Sequence, residues 1–334
     1  MPSIIKRGEG WQAQVCVSGF RRAKTFATKT EARRWAAAQE SARHAPIPPE
    51  GRMTLAKAAE RYDRERRAPG NSPTGKHIRY SGLADQQICN ISVRAIENCR
   101  DQWISETSPQ TAARYLNSLK GVLSWAKKKR WIPENPGRGV TVSGAIKLRE
   151  RVPTESDFEA LCEVAGWHEG EIPKSSRALV LAAFRLSMLT GMRGGEILAI
   201  EPEWIDGAVI RLPAEATKSR RSREVALGPA AQALLKSVMA LGLRPRVFGV
   251  SGSAKQAAFV AMREKAGLGD VKDSEGRIVR EALHFHDARA YFVTWCSQHG
   301  IGIAECCRQV GHSSTKMLMR YYRGAASDLA AKLK

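Results

Sequence analysis

Apolar and polar positions alternate over residues 3–27. Trp11, Ala13 and Val15 fall on one face and Gln12 and Gln14 on the other, the period of a half-buried strand. Gly8-Glu9-Gly10 and Ser18-Gly19 supply turns, so three short strands are expected. The period then lengthens. Thr28 or Thr30 caps a helix over about 30–43 carrying Ala32, Trp35, Ala36 and Ala37. Residues 1–44 thus predict a small three-stranded β-sheet plus one helix. Residues 45–53 hold three prolines and a glycine and predict a linker.

From Thr54 the pattern is helical. Leu55, Ala58, Ala59 and Tyr62 sit at helix spacing, and Ile91, Val93, Ile96 and Cys99 follow it more loosely. The clearest stripe is Tyr115, Leu116, Leu119, Val122, Leu123 and Ala126, on a helix started by Ser108-Pro109. It closes on Lys127-Lys128-Lys129-Arg130, cations where the helix dipole favours them. Residues 54–135 therefore predict an all-α domain. The prolines and glycine of Trp131–Gly137 begin a second linker, 136–150.

Residues 151–334 predict a mainly α domain (α+β) with one β-hairpin. Its strands are Ala208–Leu212 and Arg223–Leu227, and its tip is the basic stretch Thr217-Lys218-Ser219-Arg220-Arg221-Ser222. Leu329 and Leu333 predict a short terminal helix that docks on a neighbouring copy.

Charge changes the picture most. The 334 residues carry a formal net charge of +21, which points to a polyanion, most simply nucleic acid. Residues 1–44 alone hold nine Lys or Arg against three Glu. No apolar run has transmembrane length, and the N-terminus lacks a signal-peptide core. A cytoplasmic protein with no membrane partner is expected. The seven cysteines lack zinc-ligand spacing and read as structural thiols, so no metal or cofactor is expected.

Candidate chemistry gathers near the C-terminus. Thr190-Gly191-Met192-Arg193-Gly194-Gly195-Glu196 supplies one arginine. His286-Asp287-Ala288-Arg289 supplies a histidine and a second arginine at a spacing that shares one helix face. Gly311-His312-Ser313-Ser314 and Tyr321-Tyr322 complete the set. Guanidinium groups suit the non-bridging oxygens of a phosphate under attack. Imidazole can exchange a proton near neutral pH, and a tyrosine in a cationic pocket can act as nucleophile. Unbroken helix would set His312 and Tyr321 half a turn apart. The Gly-His-Ser-Ser sequence supplies the break they need to meet.

In this order the boxes resemble the tyrosine recombinase, or phage integrase, family, over residues 54–324. The N-terminal sheet and helix resemble the arm-type DNA-binding domain of temperate-phage integrases. The resemblance implies Tyr321 as nucleophile, in preference to Tyr322, forming a 3′-phosphotyrosyl bond and releasing a 5′-hydroxyl. A 5′-hydroxyl from a partner duplex then attacks that bond. Because the bond energy is kept, neither ATP nor metal is needed. Arg193 and Arg289 would stabilise the phosphorane, His286 would act as base or donor, and His312 would donate to an oxygen. Lys218 would protonate the leaving group, and Glu196 would orient an arginine. Arg220, Arg221, Lys127, Lys128, Lys129, Arg21, Arg22 and Lys24 are candidate DNA contacts, with Arg223 weighed beside them. The resemblance also implies a helical core-DNA-binding domain and a homo-tetramer acting on double-stranded DNA at core and arm-type sites. A DNA-bending protein and an excision factor are candidate partners, and whether either is needed stays open at this point. Two other classes fit the residues: a type IB topoisomerase and a non-catalytic DNA-binding protein.

Overall fold

A computed structural model of the chain describes residues 2–17, 20–44, 47–66, 74–143, 149, 151–217, 219–312, 315 and 318. The chain divides into two compact units, Met1–Lys147 and Leu148–Lys334.

In the first unit the alternating stretch forms β1 (Ser3–Arg7), β2 (Gly10–Val17) and β3 (Phe20–Phe26), an antiparallel sheet in that order. Helix α1 (Lys29–His44) covers it and buries Ala32 and Ala36 against Ala13 and Val15. Four helices follow: α2 (Leu55–Arg66), α3 (Thr74–Ile78), α4 (Val93–Glu106) and α5 (Pro109–Lys128). Ser108 caps α5 by accepting from the Thr111 amide at 3.3 Å, with Pro109 at the first helical position. The α5 stripe then does what its spacing predicts. Leu116, Leu119, Val122, Leu123 and Ala126 are buried with Ile96, Cys99 and Trp103 of α4.

The second unit is built around α7 (Ser176–Thr190), which follows α6 (Glu155–Ala165). Val180, Leu181, Ala182, Ala183, Phe184 and Leu186 are all buried, so α7 is enclosed on every side. After it come α8 (Gly194–Ala199), β4 (Ile205–Asp206), β5 (Val209–Leu212), β6 (Arg223–Ala226), α9 (Pro229–Met239) and α10 (Gly252–Lys265). The predicted hairpin is β5–β6, extended by β4 into a three-stranded sheet. A second hairpin was not foreseen: β7 (Val271–Lys272) and β8 (Ile278–Arg280). Its turn is made by Asp273, whose side chain accepts from the amides of Glu275 and Arg277 at 3.0 and 2.9 Å. Helices α11 (Ala288–Gln298) and α12 (Ile303–Val310) complete the described unit. Helix α7 packs against α6, α8, α9, α10 and α11, which makes its C-terminal end a fixed point.

Cys89, Cys99, Cys162, Cys296, Cys306 and Cys307 are free thiols. Among the described residues no helix is long and apolar enough to cross a membrane.

Candidate active site

Two glycine corners set the site. Gly191 ends α7 with φ +67°, and Gly311 ends α12 with φ +68°, both in the left-handed region. Gly191 is also a point of close approach. A Cβ there would stand 2.6 Å from Phe292 of α11 and 2.7 Å from Val310 of α12. Three helices therefore meet at this residue. Arg193 lies just past the first corner and His312 just past the second.

Three consecutive carbonyls at the end of α12 each receive an arginine. The Gln309 oxygen accepts from Arg223 Nη1 at 2.6 Å, Val310 from Arg289 Nη2 at 3.0 Å, and Gly311 from Arg193 Nη2 at 2.8 Å. Carbonyls at a helix C-terminus lack intrahelical partners and sit at the negative end of the dipole. Arg289 also donates to the Gly191 carbonyl and is almost fully buried. The two boxes, 98 residues apart in sequence, are thus joined through side chain and backbone.

Glu196, buried at 2% exposure, ties two of the arginines together. Its Oε1 accepts from Arg193 Nη1 at 2.8 Å, and its Oε2 from Arg223 Nη2 at 2.7 Å and the Arg193 amide at 3.0 Å. Burial alone would raise its pKa. The charge of Arg223 and the hydrogen bonds from Arg193 and Arg223 outweigh that and lower it. The expectation that Glu196 orients one arginine is therefore enlarged to two. Arg223, weighed as a holder of DNA backbone, is corrected. The alternation of β6 turns it inward while Glu224 faces out, and its guanidinium is spent on Glu196 and Gln309.

His286 and Arg289 do not share one helix. His286 lies in a 3₁₀ turn, Phe285–Asp287, and Arg289 in the first turn of α11. The chain bends at this turn because the Asp287 carboxylate accepts from the His284 amide at 2.8 Å. Arg149, from far upstream, grips the same carboxylate at 2.8 Å and the Ala282 carbonyl at 2.6 Å. Gln309 likewise seats α12. Its Nε2 donates to the carbonyls of Thr190 and Ala226 at 3.1 and 2.9 Å, and its Oε1 accepts from the Ala226 amide at 3.0 Å. Neither Arg149 nor Gln309 was singled out in the sequence. Each bonds across 80 or more residues, and no local spacing signals that.

His312 Nε2 lies 2.8 Å from Arg289 Nη2. A guanidinium can only donate, so Nε2 accepts and the proton sits on Nδ1, which is buried without a partner. In the free protein His312 Nε2 is thus an acceptor, whereas the expected donation is to an oxygen of a bound phosphate. Burial, then the charges of Arg289 and Arg193, push its pKa down to about 4. Because the folded value lies below the ordinary 6.5, its contribution to stability is complete above pH 6.5 and is lost as pH falls toward 4. An NMR titration of the DNA-free protein is expected to place His312 near pH 4, and a DNA phosphate should raise that value. A free-protein midpoint at 6.5 would contradict the Arg289 contact. His286 is exposed, yet desolvation by the surrounding protein, then Arg289, also lowers its pKa. Both rings are neutral at physiological pH.

Lys218, Tyr321 and Tyr322 lie outside the described residues, as do Ser313, Ser314, the terminal segment with Leu329 and Leu333, and the side chains of Arg21 and Arg22. The expected helix break is present as far as Gly311 and His312, where α12 has ended. Leu318 is fully buried with Phe292, Val293, Cys296, Cys306 and Val310. At the hairpin tip Thr217 is buried, and its hydroxyl accepts from the Arg221 amide at 3.1 Å and lies 2.8 Å from the Arg221 carbonyl. Arg220, with φ +52°, and Arg221 are exposed there. Part of the Lys127–Lys129 run is ion-paired in the free protein. Lys127 pairs with Glu134 at 2.7 Å and Lys129 with Glu65 at 2.8 Å, because each carboxylate is brought in by another segment of the fold. Lys128 is exposed, and Lys24 lies over the Phe26 ring.

Residues 154–327 match the phage integrase family, over half of the chain. The chain belongs to the phage integrase family. It is 28% identical to a putative integrase/recombinase of Haemophilus influenzae over 302 residues, covering 86% of this chain and 79% of that one. It is 27% identical to the integrase of Mycobacterium phage FRAT1, covering 74% of this chain and 75% of that one. Its fold is similar to a lambda integrase solved as a tetramer bound to a Holliday junction. The TM-score is 0.60 at 16% identity, over 93% of this chain and 96% of that one. In this integrase-family fold the two glycine corners and the α12 carbonyls are what hold the arginines.

Proposed function

We propose that the chain is a site-specific DNA recombinase that integrates or excises a phage or mobile element through a 3′-phosphotyrosyl intermediate. The observation that carries this reading is the gathering of Arg193, Arg289, His286 and His312 around the end of α12. A bound phosphodiester would take the remaining guanidinium donors of Arg193 and Arg289 on its non-bridging oxygens. Charge developing there in the transition state would meet donors already in place. Tyr321 Oη bonds to phosphorus as the P–O5′ bond breaks, its proton passing toward His286, and Lys218 protonates the departing 5′-oxygen. The reverse step, with a 5′-hydroxyl from another duplex, restores a phosphodiester and frees Tyr321.

The same reading assigns residues 1–44 to arm-type sites and 54–135 to the core site, with 151–334 as the catalytic domain. Four copies would act on two sites, by likeness to the lambda tetramer on its junction. Arg220, Arg221, Lys128, Lys24, Arg21 and Arg22 remain candidate contacts to DNA backbone, and a DNA-bending protein and an excision factor are candidate partners.

The test uses nicked duplexes tiled across the DNA that flanks the gene. The expected result is an adduct that survives denaturation, formed on one short sequence, with the 3′-phosphate on a tyrosine when the peptide is mapped. Relaxation of any supercoiled plasmid without a preferred sequence would instead mark a topoisomerase. Binding with no adduct on any duplex would mark a DNA-binding protein.

A further inference from the structure

Lys255 is a half-buried cation that the recombinase mechanism above does not use. It lies in the first turn of α10, whose start is capped by Ser251 accepting from the Ala254 amide at 3.2 Å. Its ammonium stands over the Phe285 ring, 4.4 Å from the centroid. It also lies 2.9 Å from the place a Cβ on Gly194 would occupy. Phe285 immediately precedes His286, and Gly194 immediately follows Arg193. The ammonium therefore sits where the first-arginine box and the histidine box face each other, in space left by a missing side chain.

Other partly buried cations of this unit are answered by carboxylates: Arg149 by Asp287, Arg151 by Asp157, Arg185 by Glu155 and Glu169, and Arg223 by Glu196. Among the described residues Lys255 has no carboxylate within ion-pair distance and no hydrogen-bond acceptor. Three donors and a full charge are thus held in a partly dry place with no counterpart. Burial lowers its pKa, and its charge in turn adds to what lowers His286. A partly buried cation with no carboxylate beside it is explained when a ligand brings the anion.

We propose that Lys255 binds a DNA backbone phosphate oxygen at the reacting step, beside Arg193 and His286. This rests on the recombinase reading, and it makes Lys255 a further cation of the cleavage site. The ammonium already stands over the Phe285 ring, and its N–H groups would donate to the phosphate oxygen.

The test compares the full-length protein with Lys255→Met and Lys255→Arg. Methionine keeps an unbranched side chain of similar length and removes the charge. Adduct formation on the nicked core duplex is expected to slow about 10- to 100-fold in Lys255→Met, since a single preorganised donor is commonly worth about 10²–10³. Lys255→Arg should keep most of the rate. DNA affinity is measured against salt in a Tyr321→Phe background. The slope of log K against log salt should fall by about 0.9 in Lys255→Met, the loss of one phosphate contact. An unchanged slope with a wild-type adduct rate would overturn the proposal. So would a rate that falls only with a lowered melting temperature while the slope holds. If the wild type forms no adduct on any flanking duplex, the recombinase reading fails. The salt slope still decides whether Lys255 touches phosphate.

Discussion

Tyr321→Phe will abolish the covalent DNA–protein adduct while leaving DNA affinity within about two-fold. The change removes one oxygen, the atom assigned to attack phosphorus, and leaves the ring. Removing the nucleophile of a constellation that acts as a unit costs about 10⁶-fold in a well-studied hydrolase, so a fall of at least about 10⁴-fold is expected. Nicked-substrate trapping followed by denaturing electrophoresis reads the adduct, and a gel-shift titration reads affinity. Tyr322 is the control. The neighbouring ring points about 100° away if the segment is helical. An adduct that survives Tyr321→Phe and vanishes in Tyr322→Phe would transfer the role. The segment has a fixed start. Leu318 is buried among Phe292, Cys306 and Val310, three positions before Tyr321.

The second large effect is expected at Glu196. Glu196→Ala leaves Arg193 and Arg223 in a buried region without their carboxylate. Breaking a buried ion pair from one side costs about 3–5 kcal/mol. For a unit of this size that is a fall in melting temperature of about 10 °C. The adduct rate should drop by about 10²-fold as well, because the carboxylate holds the Arg193 guanidinium in place. Glu196→Gln, which keeps the shape but not the charge, should lie between wild type and alanine. Adding Arg223→Ala to Glu196→Ala should cost less than the sum of the two single changes, since they share one contact. The folded pKa of Glu196 lies below the ordinary 4.5, so its stabilisation is present above pH 4.5 and disappears as pH falls through the folded value. A melting temperature that stays within 2 °C of wild type in Glu196→Ala would contradict the bridging role.

Much of this fold could be read from local periods. The alternation at Trp11, Ala13 and Val15 became β2, and the stripe from Leu116 to Ala126 became the buried face of α5. Both patterns depend only on near neighbours, which is why they are visible in one dimension. The boxes were visible as well, since each carries its chemistry within a few residues. The way they fit together was not. Arg289 to Gly191, Arg193 to Gly311 and Arg149 to Asp287 are side-chain bonds across more than 90 residues, and both acceptors on the glycine side are backbone carbonyls. Backbone carbonyls are the same at every position and leave no trace in composition. Lys127 and Lys129 show the same limit in charges: the run reads as bare cations in one dimension, and the fold brings Glu134 and Glu65 beside two of them. The second hairpin was passed over because its strands are two and three residues long.

The crowding of Arg193, Arg223 and Arg289, with Glu196 touching only the first two, has a consequence for solution conditions. Without DNA these cations repel one another, and dissolved ions that screen them ease the folded state. With DNA the same ions compete for the phosphates and weaken the grip. Ionic strength therefore pulls in opposite directions at one site: it steadies the protein alone and loosens the protein from its substrate.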